Sequence, residues 1–490
     1  MNNVKGHIVD VVSREIFDGE LVIEGEQIVE VRRCQLPTNE NTWPYIMPGF
    51  IDSHVHIESS MMVPHKFAHI AVSHGTIGVI ADPHEIGNVL GIEGVDYMIR
   101  SGRKACFNFC FGAPSCVPAV GGNVETCGKV IDVKDIEVLM AREDIGFLAE
   151  MMNFPGVMAG DKEVIAKIKA AQRHGKPVDG HAPRLMGQKR YQYAAAGITT
   201  DHECSTLEEG RSCINAGMKV IIRESSAATD FQLLSPLIAE SPNMVMFCTD
   251  DCHPDDFVRG HINLLVKRAL ADGYELWDVL QAACVNAQKH YNQNWGLLQA
   301  GDPATFITVD NITPHFRVES TVIRGEEVFN YNAILHSSHS VYDEEMADDH
   351  YLNNFVALPI TKDDIAMDIK SGDTVHVIHA HDCHNIVAIG SNDEYLVRAV
   401  NRIVEMQGGQ VVVTPQEIMD IPLPIAGLMA PMDGHEIAFH TLCIQEKVKE
   451  IGCQMKSPFI TMAFMCLPVI PDIKITDRHL MDTKTFNVIY

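Results

Sequence analysis

The chain has 490 residues, 46% of them hydrophobic and 21% charged, with a mean hydropathy of +0.01. This is the composition of a globular protein and not of a disordered or collagenous one. Thirty-eight Lys and Arg against 65 Asp and Glu leave a net charge of −27, which argues against passive binding to nucleic acid or to an anionic membrane.

The opening MNNVKGHIVDVV has no basic segment followed by an apolar one, so no secretory leader is expected. No uncharged stretch reaches the ~18–20 residues of a membrane span. The 14 cysteines are scattered, with no C-x-x-C pair, so reduced thiols in a cytoplasmic protein are the expectation. Nucleotide-binding loops of the GxGxxG or GxxxxGK[ST] type are absent from the sequence as well.

Residues 1–45 alternate with period two and predict short strands, with a turn at Asp18-Gly19. From Ile46 the rhythm changes to short apolar runs, each ending in polar or metal-capable residues. Eight such runs are visible: MPGFIDSH, TIGVIADPHE, ACFNFCFG, IGFLAE, KPVDGH, GITTDH, MKVIIRE and NMVMFCTDD. Helix-length segments such as 161–174 and 206–217 separate them, with apolar residues at i, i+3 and i+4. Eight strand–helix alternations over about 250 residues predict a (β/α)8 barrel, with its chemistry at the C-terminal strand ends. We place the barrel at residues 48–299. Residues 255–295 within it are read as helical.

Residues 300–335 return to strand character and are expected to join residues 1–47 in a composite β-sandwich domain. A polar, His- and Asp-rich linker follows at 331–352. Residues 336–490 form the predicted α+β C-terminal domain, with apolar runs DTVHVIHA, NIVAIG and QVVVTP.

The strongest chemical signal is His54-Val55-His56 at the end of the first barrel run. Residues i and i+2 of a strand face the same side, so both imidazoles can address one ion. Four other run ends supply Glu150, His181, His202 and Asp250. Four histidines and two carboxylates fit a two-metal site, with Glu150 as the bridging candidate. Asp250 and Asp251 compete for the inner face, and Asp250 is preferred. His and carboxylate donors admit Mn, Fe or Zn.

Asp82, His84 and Glu85 end the second run and are candidates for proton transfer. Glu58, Ser59 and Ser60 follow the HxH pair and are placed to orient it. Arg223 and Glu224 end the seventh run and are candidates to touch substrate, as is Ser59. Met61 and Met62 read as packing. Cys383 and His384 form an isolated metal-capable pair.

The segments PGFIDSHVHIESSMM, ADPHEIGNVLG, LAEMMNFPGV, DGHAP, TDHECSTLEEGR, IRESSAA, FCTDDCHPDD, LPIAGLM and LPVIPDIKITD resemble bacterial adenine deaminases of the amidohydrolase superfamily. The likeness runs through nearly the whole chain. It implies hydrolysis of adenine to hypoxanthine and ammonia on two divalent ions, Mn2+ or Fe2+ (Zn2+ as the further option). It also implies His54, His56, Glu150, His181, His202 and Asp250 as the ligands. Asp250, Glu85 and His84 then serve as catalytic groups, and Arg223, Glu224 and Ser59 as substrate contacts. A homodimer acting on free adenine, with neither nucleic acid nor membrane as partner, is expected.

Three positions depart from the family pattern. Ser225 replaces the glycine of IREGSAA, which would strain the loop if that position needed φ > 0. Ala304-Thr305 replaces Ala-Asp. The C-terminal region is shorter between Ser337–Tyr342 and Ala380–Asn385. The competing readings are another amidohydrolase reaction on a cyclic amide and a metal-binding protein without catalysis. Many cyclic amidohydrolases bridge their metals with a carboxylated lysine on strand four, where this sequence has Glu150.

Overall fold

The computed structural model describes residues 2–37, 43–120, 124–336, 352–362, 375–379, 385–470, 472–483 and 487–489. Strands β1 (Asn2–Asp10), β2 (Glu15–Glu24), β3 (Gln27–Arg33) and β4 (Tyr45–Met47) open the chain. The predicted turn at Asp18-Gly19 is not a turn. Both residues lie inside β2, opposite His7 and Gly6. Gly19 is there for close approach, since a Cβ would sit 2.8 Å from both the Arg32 carbonyl and the Ile8 side chain. An Asp-Gly pair signals a turn only where the chain needs one.

The eight barrel strands fall at the eight predicted runs: β5 (Phe50–Val55), β6 (Thr76–Ala81), β7 (Asn108–Ala113), β8 (Ile145–Met151), β9 (Val178–Gly180), β10 (Thr200–Asp201), β11 (Lys219–Arg223) and β12 (Val245–Cys248). Neighbours pair in parallel within β5 to β9 and within β10 to β12. Two seams close the ring. Thr199 N donates to Val178 O at 2.8 Å between β9 and β10. Asp250 N donates to His54 O at 3.0 Å, and His56 N to Asp250 O at 3.3 Å, between β12 and β5. The (β/α)8 expectation is met. Phe50, Ile51, Ile80, Phe147, Val220, Ile222, Met246 and Phe247 are buried in the same continuous core.

The connecting helices carry the predicted local signals. Helix Lys162–Arg173 starts at Asp161, whose carboxylate accepts from the amides of Glu163 and Val164. Helix Leu207–Asn215 starts at Thr206, whose hydroxyl accepts from Glu209 N. Helices Pro254–Phe257, Ile262–Ala271, Leu276–Leu280 and Asn286–His290 follow the last barrel strand, in the stretch 255–295 that the sequence predicts to be helical.

Strands β13 (Phe306–Val309), β14 (Val318–Ile323) and β15 (Glu326–Asn330) return to the N-terminal strands. Together they make one seven-stranded sheet of order β15-β14-β13-β4-β1-β2-β3. It closes on a separate small core of Ile8, Leu21, Ile23, Ile28, Ile46, Leu298, Ala304, Phe306 and Val322.

The C-terminal region carries an antiparallel sheet of β16 (Val375–His379), β17 (Ile386–Ile389), β18 (Gly409–Val413) and β19 (Ile418–Pro422), ordered β17-β16-β18-β19. Helix Gly434–Glu450 follows, then helix Pro458–Phe464 and a three-stranded sheet of β20 (Ile473–Ile475), β21 (Leu480–Asp482) and β22 (Asn487–Val488). This region is fused to the barrel. Ala430 N donates to Met61 O at 2.9 Å, and Met61 and Met62 are buried in the shared core. Of the predicted linker, residues 331–336 are helical. Most of the remainder, and the Cys383-His384 pair, lie outside the described residues. Among the described residues no helix is long and apolar enough to cross a membrane.

Candidate active site

The C-terminal ends of the barrel strands bring His54, His56, Glu150, His181, His202 and Asp250 together, all of them buried. His54 and His56 reach the same side of β5, and their Nε2 atoms lie 3.2 Å apart. His56 Nε2 is 3.1 Å from Asp250 Oδ1 and 3.4 Å from Glu150 Oε1. His54 Nε2 is 3.5 Å from Asp250 Oδ1. The second Glu150 oxygen lies 2.7 Å from His181 Nδ1 and 3.2 Å from His202 Nε2. One carboxylate oxygen of Glu150 thus faces His56, and the other faces His181 and His202.

These separations suit cation ligands. Metal–nitrogen bonds of about 2.1 Å place neighbouring ligand atoms about 3.0–3.4 Å apart. Groups of three or four donors lie within 4.8 Å of one another, among them His54, His202 and Asp250, and Glu150, His181 and His202.

Electrostatics point the same way. Burial opposes the charge on His56, yet Asp250, Asp251 and Glu150 carry its pKa well above the ordinary value. Burial likewise opposes charge on His181, but Glu203 and Glu150 push it up to about 9. Burial disfavours the Glu150 and Asp250 carboxylates, and the imidazoles around them still hold both pKa values well below the usual range. Acidic groups crowded into a dry site draw in positive charge, and a divalent cation supplies it. The residues fit a divalent metal site.

Neighbouring side chains hold this set in place. Asp201 is fully buried and ion-paired with Arg190. It also accepts from Ala182 N at 3.4 Å and Glu203 N at 2.9 Å, fixing the turns beside His181 and His202. Tyr193 donates to Met151 O at 2.9 Å and accepts from His181 N at 3.1 Å. Gly180 precedes His181 because a Cβ there would overlap the Thr200 carbonyl. Asp250 has φ +55, a left-handed conformation that Asp and Asn tolerate better than most residues.

The other candidates divide. His84 Nδ1 lies 3.4 Å from Asp82 and 3.5 Å from Glu150, and all three belong with His56 to one group of close donors. Ser59 donates to Asp251, with Glu85 Oε1 at 3.1 Å from the same hydroxyl. Ser59 and Glu85 are absent from the walls of the cavity above the cluster, which has a volume of about 410 Å³.

Arg223 does face that cavity. It pairs with Glu203, with Asp230 at 3.0 Å and with Asp250 at 3.0 Å. Glu224, expected at the substrate, points the other way: it pairs with Arg268 at 3.0 Å and accepts from Phe231 N at 3.2 Å. Adjacent strand residues face opposite sides, so Arg223 and Glu224 cannot share the site. Glu203 was not among the residues singled out from the sequence. Its carboxylate lies 3.6 Å from His202 and 3.8 Å from His181, and its place directly after a strand-end histidine was the available signal.

Ser225 is not among the residues of positive φ, so no strain follows from the missing glycine. Its hydroxyl accepts from Ala227 N at 3.2 Å and Ala228 N at 2.8 Å, holding the turn.

A barrel whose strand ends converge on a divalent metal site defines a class, and the comparisons agree with it. Residues 45–328 match the model of the amidohydrolase family, and the chain belongs to that family. Residues 369–487 match the adenine deaminase C-terminal domain. An adenine deaminase from Borreliella afzelii is 38% identical over 99% of this chain and 98% of its own length. One from Sulfurovum sp. is 41% identical over 99% of each. The first alignment runs over 543 positions, longer than this chain. In structure, dihydropyrimidinase from Brevibacillus agri superposes with a TM-score of 0.50 at 14% identity, over 67% of this chain and 95% of the other; that likeness concerns the fold alone.

Proposed function

We propose that this protein is an adenine deaminase, hydrolysing adenine and water to hypoxanthine and ammonia. The observation that carries the reading is full-length similarity to adenine deaminases, C-terminal domain included, combined with a buried donor cluster of the right chemistry at the barrel mouth. His54, His56, Glu150, His181, His202 and Asp250 would hold two divalent ions, Mn2+ or Fe2+ foremost and Zn2+ as the further option, with Glu150 presenting an oxygen to each side. Bound ions of this kind supply Lewis acidity and make water a nucleophile at neutral pH.

The chain's own residues do the rest. Ammonia leaves C6 only if a proton reaches the amino group, so the site needs a group that accepts a proton from water and passes it on. Asp250 is that group in this reading, its carboxylate kept ionised by His54, His56 and Arg223. His84, held beside Asp82, is placed to move a proton on the neighbouring side. Glu85, next to it, acts through Ser59 and Asp251. Arg223 holds Asp250 and Glu203 at the cavity wall.

The test loads metal-free protein with Mn, Fe or Zn in turn. Ammonia release is then assayed on adenine, other aminopurines and small cyclic amides, with adenine loss followed by ultraviolet absorbance. Turnover of adenine above the rest is expected. Hydrolysis of a cyclic amide with no adenine turnover would overturn the reading.

A further inference from the structure

The cavity above the donor cluster has two kinds of wall. Its floor is ionic, made by His56, Glu150, His181, His202 and Asp250. The barrel adds few apolar residues to it: Met152, Ala227 and Ala228. Most of the apolar surface comes from more than 200 residues later in the chain, as Phe464, Met465, Leu467 and Ile470, with Thr461 and Lys474 beside them. A flat heterocycle presenting one edge to the floor leaves two apolar ring faces to cover. The barrel alone does not offer that cover.

This later segment is fastened to three different barrel loops. Ser457 Oγ donates to Ser226 O at 3.1 Å, in the loop after β11. Asp472 accepts from Arg184 at 3.1 Å, in the loop after β9. Beyond β7, Thr476 Oγ1 donates to Val124 O at 2.7 Å, and Asp477 accepts from Thr126 N at 2.9 Å. Within the segment, Ile475 N donates to Met465 O at 3.1 Å and holds the strand against the end of the preceding helix. Three anchors around the mouth set its position relative to the metal-capable floor.

We infer that Thr461, Phe464, Met465, Leu467, Ile470 and Lys474 of the C-terminal region are part of the substrate site, and that Phe464 and Ile470 form the apolar wall against which the purine ring packs. The inference rests on the deaminase reading above and adds the specificity-determining residues to it. Both side chains are only partly buried as the structure stands, so each has surface left for a ring to cover. They act on binding and not on the proton transfers, which belong to the ionic floor. Their loss is therefore read in KM and not in kcat.

The experiment uses the full-length, metal-loaded protein and the variants Phe464→Ala, Ile470→Ala and Met465→Ala. The last of these side chains is 46% exposed, so its removal leaves folding intact even if another variant fails. Leu233→Ala, at an exposed barrel position, is the control. Removing apolar contact from a substrate pocket costs on the order of tenfold or more in selectivity. The expected result for Phe464→Ala and Ile470→Ala, and in the same direction for Met465→Ala, is KM for adenine up about tenfold, Ki for hypoxanthine rising in parallel, and metal content and kcat held within about twofold. KM and Ki unchanged in the folded variants, or kcat falling with KM unchanged, would overturn the inference while leaving the deaminase reading standing. A metal-loaded wild-type protein that neither binds nor deaminates adenine would overturn both.

Discussion

Asp250→Asn tests the chemistry most directly. Asn keeps the volume of Asp and tolerates the left-handed backbone at φ +55, so the loop should hold its course. The parallel hydrogen bonds to His54 O and from His56 N are main-chain and survive the change. What disappears is the negative charge that sits 3.1 Å from His56 Nε2 and 3.0 Å from Arg223. Arg223 retains Glu203 and Asp230 as partners, so its own position is still supported. The amide still offers one oxygen to a cation but cannot take up and relay a proton. We therefore predict metal retained and turnover reduced by ~10²–10⁴-fold, the usual contribution of a general acid–base group. This corresponds to about 2.7–5.4 kcal/mol of barrier. Asp251→Asn is the comparison, because Asp251 is equally buried but is engaged by Ser59. Metal content by mass spectrometry and adenine turnover are measured for both. Normal turnover in Asp250→Asn with a dead, metal-replete Asp251→Asn would show the assignment to be wrong by one residue. Metal loss in both variants would assign the two carboxylates to ligation or folding instead.

Glu150→Gln should bind less metal than wild type, since Glu150 faces His56 with one oxygen and His181 and His202 with the other; an unchanged metal complement after dialysis would refute its bridging position. Arg190→Leu leaves Asp201 as an unpaired charge at a site where neither partner is exposed, and a loss of about 3–5 kcal/mol in chemical denaturation is expected; a loss below about 1 kcal/mol would contradict it. Burial, with His261, His435 and Lys267 nearby, lowers the His74 pKa to about 3 from the usual value near 6.5. A depressed folded-state pKa means the stabilising contribution is present above pH ~6.5 and is lost as pH falls toward ~3, with a slope of up to about 1.4 kcal/mol per pH unit. His74→Gln, which keeps a donor for the Phe257 carbonyl, should flatten that slope in metal-free protein; denaturation curves from pH 7.5 to 5 with the same slope for both proteins would sink this account.

The barrel was legible because its signals are local. Short apolar runs ending in polar residues, and capped helices such as the one after Asp161, depend on residues a few positions apart, and eight such alternations in succession leave few architectures open. The pairing of His54 with His56 was legible for the same reason: strand alternation alone puts both on one side. Alternation was also the argument that should have separated Arg223 from Glu224, since only one of two neighbours can face the cavity. The Asp18-Gly19 turn failed where a local signal was overridden by packing, the glycine being required by Ile8 and Arg32 across the sheet.

From the sequence by itself came the kind of fold, the order of its strands, and the residue types waiting at each strand end, because backbone periodicity and donor chemistry are properties of short stretches. The tertiary structure alone decided how these stretches meet. It placed Glu203 beside His181 and His202, set Asp201 under two ligand-bearing turns, and gave Asp250 and Asp251 different neighbours. It also carried Phe464 and Ile470 to the same cavity as His56 and Glu150. Such contacts join segments tens to hundreds of residues apart, and they form only when the whole core packs, so no window of sequence contains them.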